Sequence, residues 1–106
     1  GASASAALSQ AQLARIEVEE TATSDVVEAR YRIATWARAR EAVEAQMKVL
    51  AKLRRGQELG EIDLAERLLG ERMVHDAFRI EAEARADAMR AITKLRIDAH
   101  DLWIAD

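Results

Sequence analysis

The sequence predicts an all-α protein, a long antiparallel helical hairpin of coiled-coil type. Three observations carry that expectation. The chain has 106 residues, no Pro and only four Gly, and it is rich in Ala, Leu, Glu and Arg, the composition of long helices and coiled coils. Its apolar residues recur at alternating three- and four-residue steps, which is helical and not strand-like periodicity. A single glycine-marked break, Gly56-Gln57-Glu58-Leu59-Gly60, divides the chain into two long segments.

The first helix is expected over about residues 6–55. From Val26 onward its stripe is Val26, Ala29, Ile33, Trp36, Val43, Met47 and Leu50, interrupted only at Arg40. Such a run reads as a heptad seam. Upstream, Leu13, Ile16, Glu20, Thr23 and Val27 keep the alternation one residue out of phase, which predicts a stutter or a change of packing partner. The cluster Thr21-Ala22-Thr23-Ser24 is the weakest stretch, and Ser24 or Asp25 is an alternative cap for a separate helix.

The bend is expected at about 56–62. Lys52, Arg54 and Arg55 precede Gly56, and cations followed by glycine suit a helix C-terminus. Asp63-Leu64-Ala65-Glu66 has the form of a capping box, with Asp63 accepting from first-turn amides and Glu66 reaching back. The second helix is therefore expected over about 63–104. Its stripe is Met73, Ala77, Ile80, Ala84, Ala88, Ala91, Leu95, Ala99 and Leu102, and the small residues in its middle let a partner helix come close. Segments of about 45 residues each run roughly 65–70 Å at 1.5 Å per residue, which predicts a rod. Residues 1–106 form one hairpin segment on this reading.

Composition limits the function. The formal net charge is −3, with both signs interleaved, so the basic footprint of a nucleic-acid binder is absent. There is no Cys, which removes disulfides and thiolate metal sites and fits the periplasm or the cytosol alike. No apolar run nears the roughly 20 residues that span a bilayer, and no signal peptide is visible. Gly1-Ala2-Ser3-Ala4-Ser5 reads as a cloning remnant, and the chain is expected to be a piece of a longer one.

No residues point to chemistry. His75 and His100 lack the Glu-x-x-His spacing of di-metal bundles and read as polar-face or helix-end side chains. Glu17, Glu19 and Glu20 read as a solvated face rather than a cation site. Trp36 sits on the stripe, with its indole N–H expected to reach a polar edge. Leu102-Trp103-Ile104 is an apolar cluster expected to dock or to continue into more chain. There is no nucleophile set, phosphate loop or cofactor motif, so no enzyme activity, metal or cofactor is expected. Alanine covers little area, and at roughly 25 cal/mol per Å² such a core is thin. A larger assembly suits it better than a monomer.

Three segments in order carry a family resemblance: Val26-Val27-Glu28-Ala29-Arg30-Tyr31, then Leu59-Gly60-Glu61-Ile62-Asp63-Leu64-Ala65-Glu66, then the Ala-rich run to Leu95-Arg96-Ile97-Asp98-Ala99-His100-Asp101-Leu102-Trp103. Together, over roughly Leu8 to Ile104, they resemble the TolC-type outer membrane efflux factors, the ending being most similar to the heavy-metal (cation) efflux branch. The resemblance implies a helical piece of a trimeric channel's periplasmic α-barrel. It further implies docking to a periplasmic adaptor, which links the channel to an inner-membrane pump. It places the adaptor-facing tip within Arg38 to Val49, making Arg38, Glu41, Gln46 and Lys48 candidate adaptor contacts. The glycines place the bend instead at Gly56, Gly60, Asp63 and Glu66, the placement favoured here. The rival functional reading is a self-contained coiled-coil scaffold or regulatory hairpin; a helical metal-binding or metal-dependent enzyme domain is a much weaker third.

Overall fold

The computed structural model describes the backbone of residues 2–105 and the side chains of residues 9–101. It is all-α, a helical hairpin: α1 is Ala2–Glu58 and α2 is Leu64–Ala105, with no strand among the described residues. Two compact units are present. The first comprises residues 1–31 and 88–106, and the second is Arg32–Asp87.

α1 runs through Thr21–Ser24 without a break. Thr23 Oγ1 donates to the Glu19 carbonyl at 2.9 Å, so this weak helix former turns its hydroxyl back on the preceding turn. Ser24 and Asp25 cap nothing there.

The chain reverses at residues 59–63, within the region that the glycines mark. Gly60 N–H donates to the Gln57 carbonyl at 3.0 Å and Glu61 N–H to the Gly56 carbonyl at 2.8 Å. This pair is the Schellman ending, which needs a left-handed residue after the helix. Gly60 supplies it with φ +74°. Gly56 serves differently. It is the last-turn residue against which Ile62 packs, and a Cβ there would lie 3.4 Å from Ile62 Cγ1. The earlier tip implied by the family resemblance, Arg38 to Val49, lies inside continuous α1.

Burial defines the seam. On α1 the half-buried and buried positions step through Val18, Ala22, Asp25, Ala29, Arg32, Trp36, Ala39, Val43, Gln46, Leu50 and Leu53. On α2 they step through Arg67, Gly70, Val74, Ala77, Glu81, Ala84, Ala88, Ala91, Leu95 and Asp98. Both are unbroken heptad a/d rows. They correct the expected stripes at alternate positions. Ile33 (41% exposed), Met47 (51%), Met73 (44%) and Ile80 (50%) lie outside the seam, and Arg32, Gln46, Val74 and Glu81 lie in it. The out-of-phase stretch Leu13, Ile16, Glu20, Thr23 and Val27 is exposed throughout, so no stutter exists from Val18 onward.

The cause is close approach. Ala39, Ala77, Ala84 and Ala88 are buried, and Gly70 is so tightly covered that a Cβ would collide with Leu53 Cδ1. Helices lying this near each other have room for small residues between them, and bulky apolar ones are displaced to the flanks. The core is accordingly thin: among the described residues, five of the seven buried hydrophobic ones are alanines, and no large side chain is fully buried.

Candidate interaction surface

Each seam carries polar cross-links that fix the antiparallel alignment. Within the second unit, Trp36 Nε1 donates to Glu81 Oε1 at 3.0 Å, so the indole finds the polar edge its amphipathic ring requires. Glu81 is held from its own helix by Arg85 at 3.3 Å. Arg40, one turn after Trp36, lies over the indole face with its guanidinium carbon 4.5 Å from the ring centroid, within cation–π range. Arg54 meets Glu71 at 3.4 Å, and Arg32 meets Asp87 at 3.8 Å.

Within the first unit, Lys94 Nζ donates to Asp25 Oδ1 at 3.1 Å and to Asp98 Oδ2 at 2.9 Å. These bonds, to Asp98 and then to Asp25, raise the Lys94 ammonium above its usual range. The hydrogen bond shared with the Asp25 carboxyl, and then the one from Lys94, hold Asp98 below the usual carboxylate range. Asp25 is buried at 8% exposure. Its Oδ2 receives no hydrogen bond, and Asp98, when ionised, has no proton to offer it. A groove of about 220 Å³ lined by Glu17, Val18, Thr21, Asp98 and Asp101 opens on this unit. No group of three or more metal-ligating side chains suited to an ion is found among the described residues.

The expected turn residues come together as a cap. Asp63 Oδ1 accepts from the Glu66 N–H at 2.9 Å, satisfying one of the free amides of the first turn of α2. The box is half-formed: Glu66 contributes its amide, and its carboxylate makes no return bond to Asp63. The candidate adaptor residues do not form one cluster. Arg38, Glu41 and Lys48 are exposed on the outer face of α1, whereas Gln46 belongs to the seam. Arg38 bonds Thr35 Oγ1 at 3.3 Å and Lys48 pairs with Glu44 at 3.8 Å. His75 and His100 are exposed. The side chains of Leu102, Trp103 and Ile104 lie outside the described residues.

What the surface offers is apolar area. Ile33 and Met47 of α1 and Phe78 of α2 are large and half-exposed on one flank of the second unit; Val49, Met73 and Ile80 are so on the other. Heptad position assigns the flanks, since residues just after a d position meet their counterparts across an antiparallel pair. Arg54–Glu71 is such a meeting. Of the residues that reading the sequence missed, Gly70 and Glu81 lie in the a/d row and follow from the heptad phase, as does Asp25, read there as a cap; Lys94 lies beside the row and is found through its contact with Asp25. Charge alternation hid that phase, because the polar a/d residues looked like surface. No helix among the described residues is long and apolar enough to cross a membrane. Compared with family models, curated proteins and solved structures, the chain matches none.

Proposed function

We propose that this chain is an assembly part: a periplasmic helical segment of an outer membrane channel protein in a tripartite efflux system, forming part of the export duct and docking to a periplasmic adaptor. The observation that carries the reading is the displacement of Ile33, Met47, Met73 and Ile80 from the seam to the flanks. A helical pair that buries alanines and exposes its bulky residues has its strongest apolar contacts still to make, with further helices. The efflux assignment itself is supported by the three ordered segments around Tyr31, Gly60–Glu66 and Leu95–Trp103. In this reading three copies of the parent protein build the duct, polar faces line water, and selectivity for cargo resides with the pump.

The test is photo-crosslinking in cells, with the crosslinker placed at Lys48 and at Leu59 of the parent protein. Adducts with a periplasmic adaptor are expected from one of the two positions. The reading is lost if neither yields one and the parent reading frame encodes no barrel strands. A free-standing coiled-coil scaffold draws on the same flanks, and that second outcome would establish it.

A further inference from the structure

Beyond that reading, and without resting on it, we infer that residues 13–27 of α1 form a docking face for a basic amphipathic helix of another protein. The face is a second heptad row. Ile16, Glu20, Thr23 and Val27 each precede a seam residue (Val18, Ala22, Asp25 and Ala29) by two positions. At 3.6 residues per turn this puts them about 200° round the helix from the seam. Leu13 extends the row by one step, and all five are exposed. Farther along α1 the positions two before seam residues are Ala34, Ala37, Glu41, Glu44 and Lys48. These offer alanine and charge but no bulky apolar side chain, so the second row is confined to about 21 Å of helix.

Charge decides what covers this row. Glu17 and Glu19 flank it on its two sides, and Glu20 stands within it. None of the three is paired with a cation among the described residues, including Arg15 one turn before Glu19 and Arg30 beyond Val27. A groove of about 550 Å³ lined by Ile16, Glu19, Glu20, Thr23 and Ser24 opens on the same face. A helix laid here covers Glu20, and a covered carboxylate without a partner is costly. The occupant therefore brings a Lys or Arg to Glu20. It brings others to Glu17 and Glu19, which hold the flanking places that set partner choice in a coiled coil. Thr23 makes no such demand, since its hydroxyl already donates to the Glu19 carbonyl.

The surrounding unit has the same bias. The first unit carries eight carboxylate side chains against five Lys and Arg, whereas the second carries eleven of each. The chain's whole net charge of −3 thus lies on the unit that bears the row. A second copy presenting the same row would set Glu17, Glu19 and Glu20 against their counterparts, which disfavours it as the occupant.

Fluorescence anisotropy of the full chain with labelled peptides tests this. The probe is a three-heptad peptide with Leu at its a and d positions and Lys at e, g and the central a. One control carries Glu in place of every Lys, and another is the Lys peptide in scrambled order. The Lys peptide is expected to bind roughly tenfold or more tighter than either control and to weaken as salt rises. The chain carrying Glu17→Lys and Glu20→Lys is expected to prefer the Glu peptide instead. Ile16→Gln with Val27→Gln is expected to weaken the Lys peptide roughly tenfold, with the chain's own helicity unchanged by circular dichroism. Equal binding of the Lys and scrambled peptides would overturn the inference, as would helical variants that bind the Lys peptide like the parent. Self-association of the chain that Ile16→Gln with Val27→Gln abolishes would also overturn it, making a second copy the occupant. The adaptor crosslinks at Lys48 and Leu59 read residues outside this row, so either result stands or fails without the other.

Discussion

Trp36 and Glu81 meet across the helical pair, the indole N–H donating to the carboxylate at 3.0 Å. Glu81 is a seam residue whose side chain is only 16% exposed, and its charge is tolerated there because Trp36 and Arg85 both satisfy it. Trp36→Phe keeps most of the packing and removes the donor. The expected cost is about 1.5–3 kcal/mol, the size of a lost hydrogen bond to a charged group. Urea midpoints followed by circular dichroism measure it. In the Glu81→Gln background the same substitution should cost less, and equal costs in both backgrounds would show that the bond contributes nothing.

The two turn glycines should respond to alanine with opposite signs. Gly60 holds φ +74°, a conformation that costs an L-residue roughly 1–2 kcal/mol, so Gly60→Ala destabilises by about that amount. Gly56 is helical, and a Cβ would touch only Ile62. Gly56→Ala gains up to about 1 kcal/mol of helix propensity, less a small adjustment by Ile62. Thermal melts of both variants check the sign as well as the size.

Asp25 should be dispensable for stability. It is a buried carboxylate with an oxygen that receives no hydrogen bond, and Lys94 keeps Asp98 at 2.9 Å without it. Asp25→Leu therefore leaves no buried charge uncompensated and should be neutral or stabilising by about 1 kcal/mol at neutral pH, while the acid limb set by Asp98 shrinks, because the hydrogen bond with Asp25 is the first cause of its depression. A loss of more than about 1 kcal/mol in chemical denaturation would contradict this account.

The Lys94 network predicts a pH profile for the first unit. The Asp98 value is depressed in the fold. Its contribution is thus present above the ordinary carboxylate value of 3.8 and lost as pH falls through the lower folded value. Lys94 is raised, so its contribution is complete below 10.5 and lost as pH climbs through the higher folded value. Helix content against pH should show an acid limb that Asp98→Asn flattens and an alkaline limb that Lys94→Met flattens. Limbs unchanged in both variants would assign the titration elsewhere.

Helix content and the place of the reversal were legible from residue types alone. Gly60 and Asp63 act locally, through a left-handed φ and a side-chain cap, so the sequence carries their full signal. The seam was legible only in half. Ala29, Trp36, Val43 and Leu50 are common to the expected and observed stripes, but the intervening choice between Ile33 and Arg32 is set by the distance between helices. Hydrophobicity selects Ile33. Close approach at Ala84, Ala88 and Gly70 selects the residue whose side chain can leave the interface, and a long arginine leaves more readily than a β-branched isoleucine. Asp25 was misread for a related reason: its burial depends on Lys94, 69 positions away, and no local window contains both.

The tight reversal also dictates an order of events. Its cross-links close loops of increasing length, 17 positions for Arg54–Glu71, 45 for Trp36–Glu81 and 69 for Asp25–Lys94. Closing the longest from an open chain costs roughly 1.2 kcal/mol more than closing the shortest. Once the turn at Gly60 is made, each pair brings the next within reach, and the helices should join as a zipper that starts at the turn and runs toward the chain ends. Speed of folding is then set around Gly60, while the Lys94 network joins late and governs how the ends come apart.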